Sequence, residues 1–135
     1  MRITLLFIIL SFSSIVYAQQ DDRITTIDFV QILKDNKDEA VFYYQNNWKV
    51  LRDMAVNKGY IDSYQVLETP FSETEPFHLM LITTYANEAQ YDLREDHFGE
   101  LIKERGDLKL LNEKKPGEFR KVLFGKDMVR HWKRN

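Results

Sequence analysis

Apolar and polar positions recur along the chain in two rhythms, and the changes of rhythm mark out its elements. Thr26 to Lys34 carries Ile27, Phe29 and Leu33 on one parity and Val30 and Ile32 on the other, which predicts a strand with both faces partly apolar. From Val41 the step lengthens. Val41, Tyr44, Trp48, Leu51 and Ala55 recur every three or four residues and share one helix face, while Gln45, Asn46, Lys49, Arg52 and Asp53 fall mostly on the other. Asn36 with Glu39 has the spacing of a capping box that opens this helix, and Asn57-Lys58-Gly59 supplies the glycine that ends it. Ile61 to Thr69 and Phe77 to Tyr85 predict two further strands, joined by a hairpin loop, Pro70 to Pro76, longer than the usual ~2–5 residues. Asn87 and Gln90 repeat the capping spacing before a second helix that carries Ala89, Leu93, Phe98, Leu101 and Ile102 and stops at Gly106. A turn through Pro116-Gly117 leads to a last strand within Lys121 to Val129, where Gly125 predicts a bulge or bend.

The order strand, helix, strand, strand, helix, strand is the βαββαβ, ferredoxin-like arrangement of the α+β class. It places two helices on one face of a four-stranded antiparallel sheet. The other face then needs an explanation, because Leu79-Met80-Leu81-Ile82 is apolar at every position, whereas a strand with one wet face alternates. A second copy of the chain, related by a two-fold axis and packed sheet to sheet, covers it most simply. The alternative cover is the C-terminal segment with Met128, Val129 and Trp132.

The first eighteen residues belong to neither rhythm. Met1-Arg2, an apolar run from Ile3 to Leu10 and a Ser-rich stretch ending in Val16-Tyr17-Ala18 have the layout of a secretory signal peptide. The stretch is shorter than the ~20 apolar residues of a spanning helix, and Ser11, Ser13 and Ser14 interrupt it. We therefore expect a leader over residues 1–18, cleaved after Ala18, and a single domain over residues 19–135, exported to a periplasm or the medium and free of the membrane. The balance of 19 Lys+Arg against 21 Asp+Glu, without a long basic run, argues against nucleic acid as the main partner. With no cysteine, neither a disulfide nor a thiolate is available. An aromatic content of 13% with only 5 Gly and 3 Pro favours a packed core over disorder.

This element order, together with Asn46-Asn47-Trp48-Lys49-Val50-Leu51-Arg52, Gly59-Tyr60-Ile61, Tyr64 to Pro70, Leu81 to Ala86 and Leu110-Leu111-Asn112-Glu113, resembles the dimeric α/β-barrel superfamily. Within it, the chain is similar to a group of uncharacterised exported bacterial proteins, over most of its length beyond the leader. The resemblance implies a fold rather than an activity, because the superfamily includes cofactor-free antibiotic-biosynthesis monooxygenases, haem-degrading oxygenases, haem-dependent peroxidases and dismutases, and small binding modules. The haem-degrading branch uses a helix histidine, a role open to His97, with an asparagine on the first strand and a tryptophan on the third. Here the first strand offers Asp28 and Gln31, the third has no tryptophan, and Trp48 lies on the first helix, so that triad does not carry over.

Read from the residues themselves, His78 at the start of the third strand and His97 after Glu95-Asp96 suit a general base or a haem ligand, and equally suit solvated positions. His131 reads as a surface residue. The histidines lack metal-ligand spacing, so no metal is expected, and neither a nucleophile elbow nor a phosphate loop is present. The aromatic residues Tyr43, Tyr44, Trp48, Tyr60, Tyr64 and Tyr85 build either core or a pocket between helices and sheet. A pocket would gather Tyr44, Trp48, Tyr64, His78 and His97, with Glu68 and Asp28 as further polar candidates. Two functional readings result. One is an exported homodimer that binds a small apolar or aromatic ligand or a protein partner, with no cofactor expected. The other is an oxygenase-type enzyme, cofactor-free or haem-dependent, with its site between helices and sheet.

Overall fold

The computed structural model describes residues 21–132, so the leader expected over residues 1–18 lies outside it. The elements are β1 (Ile24–Ile32), α1 (Lys37–Tyr43), a π-helical turn (Tyr44–Trp48), α2 (Lys49–Asn57), β2 (Ser63–Glu68), β3 (Leu79–Tyr85), α3 (Glu88–Asp92), α4 (Arg94–Arg105), α5 (Pro116–Phe119) and β4 (Arg120–Arg130). The strands form one antiparallel sheet in the order β2-β3-β1-β4, which is the ferredoxin-like topology.

Register assigns each residue to a face. Leu67, Met80, Phe29 and Phe124 are cross-strand neighbours on one face, as are Gln65, Ile82, Ile27 and Lys126 in the next row, and Ser63, Thr84, Thr25 and Val129 beyond it. This face carries no helix. Phe29 stacks on Phe124 at 4.5 Å and meets Phe77 edge-on at 4.9 Å, and Leu67 and Phe124 remain 42% and 48% exposed. The C-terminal segment does not cover it among the described residues, since Trp132 is 94% exposed and Met128 packs into the helix-side core.

The opposite face carries the helices and the core, which is divided in two. Ile24, Leu51, Ala55, Ile61, Tyr85, Tyr91 and Leu101 form one cluster, and Val30, Ile32, Ala40, Tyr44, Leu79, Leu81 and Phe119 the other. Along β1 the inward residues between the two halves are Thr26 and Asp28, the latter flanked across the sheet by Leu81 and Gly125.

Several local expectations change. Asn36 and Glu39 do not form a capping box, because the loop before α5 claims both side chains. Lys114 Nζ donates to Asn36 Oδ1 (2.6 Å) and to Glu39 Oε1 (2.8 Å), and Asn112 Nδ2 donates to Glu39 Oε1 (3.0 Å). The first helix is not regular throughout. Its looser π turn places Asn47 inward, 1% exposed, where Nδ2 donates to the carbonyls of Lys109 (2.7 Å) and Tyr43 (3.1 Å) and Oδ1 accepts from the Lys109 N–H (2.7 Å). The second helix is broken at Leu93, and it is Tyr91 and Leu101 that are buried, whereas Leu93 and Ile102 are exposed. Its start forms as the spacing predicts, with the Gln90 N–H donating to Asn87 Oδ1 (2.8 Å). The turn at Pro116 is the short helix α5, which buries Phe119.

Candidate functional site

A cleft of about 270 Å3 opens on the helix face, beside the core cluster that holds Leu51 and Tyr85. Thr26 and Asp28 of β1 and Asp127 of β4 form its sheet side, Leu51 and Arg52 come from α2, Tyr85 from β3, and Arg94, Glu95, Phe98 and Ile102 from α4.

Asp28 occupies an inward position of β1, on the parity that elsewhere supplies Ile24, Val30 and Ile32. Gly125, opposite it on β4, leaves it room, because a Cβ there would lie 2.9 Å from Asp28 Oδ1. Burial pushes the Asp28 carboxyl above its ordinary range, Arg52 opposes that shift, and Asp127 adds to it.

Arg52 lies against two aromatic rings, its guanidinium carbon 4.1 Å from the centre of Trp48 and 4.4 Å from that of Phe98. Its Nε reaches Thr83 Oγ1 at 3.4 Å. Burial pushes its pKa down to about 10, with Tyr85 and Asp28 acting in the other direction, so it keeps its charge at neutral pH. The Tyr85 hydroxyl is pushed up, chiefly by burial. Arg94 is otherwise engaged, lying 4.0 Å over the Tyr91 ring and donating to the Tyr91 carbonyl at 3.2 Å. Groups of opposite charge whose protonation is perturbed by burial, set in one hollow that also has Leu51, Phe98 and Ile102 in its walls, are a physical mark of a binding or reacting site.

The residues expected to gather in a pocket are spread over three places. Tyr44 and Tyr64 line a separate groove of about 430 Å3 with Gln45, Lys49, Gln65 and Val66. Trp48 joins this groove to the cleft, meeting Tyr64 edge-on at 5.7 Å and Arg52 on its other contact. The Tyr64 hydroxyl donates to Asp53, whose carboxyl Lys49 and Tyr64 hold below its ordinary range. His78 is at the far end of the sheet, beside a hollow of about 520 Å3 that also includes Asn36, Lys37 and Glu68. It extends the sheet, its Nδ1 accepting from the Ile32 N–H (3.0 Å) and its own N–H donating to the Val30 carbonyl (2.7 Å), with Phe71 stacked on its ring. That bond makes Nδ1 the unprotonated nitrogen. His97 stacks on Tyr60 at 3.7 Å, outside the cleft. His131 Nε2 lies 2.7 Å from Thr25 Oγ1 on the helix-free face. Among the described residues, no histidine lines the cleft.

Arg52 is the residue that pattern reading misses, since its step along the helix places it on the polar side. Asp28 carries a visible signal, a carboxylate at an inward position of an apolar strand.

No protein-family model matches the chain, and a search of curated proteins finds no match. Solved structures do resemble it at low identity. A Bacteroides thetaiotaomicron protein of unknown function, described as a possible oxidoreductase, is 16% identical, with 79% of this chain and 98% of that chain covered and a TM-score of 0.46. A conserved protein from Methanosarcina mazei is 22% identical over 69% of this chain and 86% of that chain, with a TM-score of 0.42. A second Bacteroides thetaiotaomicron protein, named as a candidate antibiotic biosynthesis monooxygenase, is 13% identical over 84% of this chain and 97% of that chain, with a TM-score of 0.36.

Proposed function

We propose that this is an exported homodimeric domain that binds a small, largely apolar molecule in the cleft between α2, α4 and the sheet. The observation that carries the reading is the interruption of the core at Asp28. In place of an aliphatic side chain, the sheet presents a half-buried carboxylate, with a glycine opposite it, to a hollow that Leu51, Phe98 and Ile102 help to wall. A chain selected only for packing would fill that position, because even a half-buried carboxylate costs free energy that an aliphatic side chain does not.

The second copy belongs to the same reading. The helix-free face carries Ile27, Phe29, Leu67, Met80, Ile82 and Phe124 as contiguous cross-strand neighbours, a patch of the kind that marks an association surface. Sheet-to-sheet pairing about a two-fold axis buries it while leaving both clefts open on the outer, helix-covered sides.

Native mass spectrometry of the Gln19–Asn135 chain isolated from its source tests both parts. A dimer carrying a small molecule is the expected species. An empty dimer would remove the ligand, and an empty monomer would contradict the whole reading.

A further inference from the structure

Arg52 is held by the faces of its guanidinium rather than by its donors. Trp48 and Phe98 pack against it at 4.1 Å and 4.4 Å, and its Nε makes one long contact with Thr83. Among the described residues, its two Nη groups donate to nothing. The side chain lines the cleft, and donors that no protein acceptor holds are free to pair with a molecule bound there. A guanidinium fixed in orientation presents parallel N–H groups that match two coplanar oxygens, which a lysine ammonium cannot do.

The walls supply the rest of the recognition. Leu51, Phe98 and Ile102 offer apolar contact, and the hollow of about 270 Å3 is the size of a single-ring compound. On the reading of this cleft as a ligand site, we infer that its occupant is a small apolar carboxylate whose two oxygens pair with the Nη groups of Arg52. Asp28 shares the cleft and sets the polarity of this choice. An ionised Asp28 repels a bound carboxylate, a repulsion that a neutral side chain at this position removes and that an uncharged ligand does not feel.

Titration calorimetry of the whole chain with benzoate and with benzamide, two probes of nearly equal shape, tests the inference. Benzoate is expected to bind about tenfold more tightly than benzamide, the scale of a charge-assisted bidentate pair. Arg52→Met abolishes that preference, Arg52→Lys recovers part of it, and Asp28→Asn tightens benzoate without changing benzamide. Equal binding of the two probes by the native chain overturns the carboxylate and leaves the cleft reading standing. A preference that survives in a folded Arg52→Met chain places the carboxylate elsewhere and also overturns the inference. Binding of neither probe at millimolar concentration overturns the inference and the cleft reading together. The comparison of probes on the native chain decides the matter even where a variant fails to fold.

Discussion

At the scale of single residues, the polar groups that the fold buries have separate jobs. Asn47 fastens the segment around Lys109 to the first helix through its amide and its carbonyl, so Asn47→Ala leaves both backbone groups of Lys109 without partners. We expect a loss of about 2–3 kcal/mol in urea unfolding, from the cost of stranding buried donors and acceptors. Asn46, whose side chain reaches only the Phe42 carbonyl, should lose well under about 1 kcal/mol on the same change. Equal effects would mean that Asn47 is not a fastener. Glu39 gives a prediction in pH. The hydrogen bond from Lys114, with that from Asn112, holds its carboxyl down to about 2 from an ordinary 4.5. A depressed carboxylate stabilises the fold fully above its unfolded pKa and loses that contribution as the pH falls toward the folded one. The melting temperature of Glu39→Gln should therefore fall less than that of the native chain between pH 5 and pH 2. Parallel curves would exclude the role.

Arg52 and Asp28 show how far one residue's environment can be read from its neighbours in sequence. A charged side chain at an inward strand position is conspicuous, and Asp28 lies on the cleft. Arg52 gives no such signal. Its long apolar stem lets the head lie across Trp48, one turn earlier, and Phe98 from a helix position that counts as polar, and Phe98 comes from a helix far away in sequence.

At the scale of elements, sequence spacing is reliable where the bond is local and fails where a distant segment competes for the same side chain. Asn87 and Gln90 face no competitor, and the cap forms. Asn87→Ala should cost about 1 kcal/mol and Asn87→Ser almost nothing, as measured by thermal unfolding. Asn36 and Glu39 have the same spacing, but Lys114 and Asn112, more than seventy residues away, offer charged and neutral donors that the helix start cannot match. The π turn was equally hidden, because loosening one turn trades local hydrogen-bond geometry for inward placement of Asn47, a gain that only the Lys109 segment reveals. Strand order was legible because the apolar rhythm and the turn residues agree. The division of the core was not, since it depends on Gly125 lying opposite Asp28 across a sheet.

At the scale of the whole molecule, one sheet serves two purposes. Its helix-covered face holds the cleft, and its bare face carries the Phe29, Phe77 and Phe124 cluster that we assign to a second copy. Phe124→Asp puts a charge into the middle of that interface, against Phe29 of its own chain at a cost small beside that of desolvating it in a dimer. Sedimentation velocity should show the native chain as a dimer and this variant as a folded monomer. A native monomer at micromolar concentration would return the bare face to another partner.

The place of the ligand on the helix side is open to direct test by anomalous scattering from crystals grown with 4-bromobenzoate. A bromine peak is expected among Leu51, Phe98 and Ile102, with the carboxylate toward Arg52. A peak only on the helix-free face, in the hollow bounded by Thr25, Ile82 and His131, would contradict it.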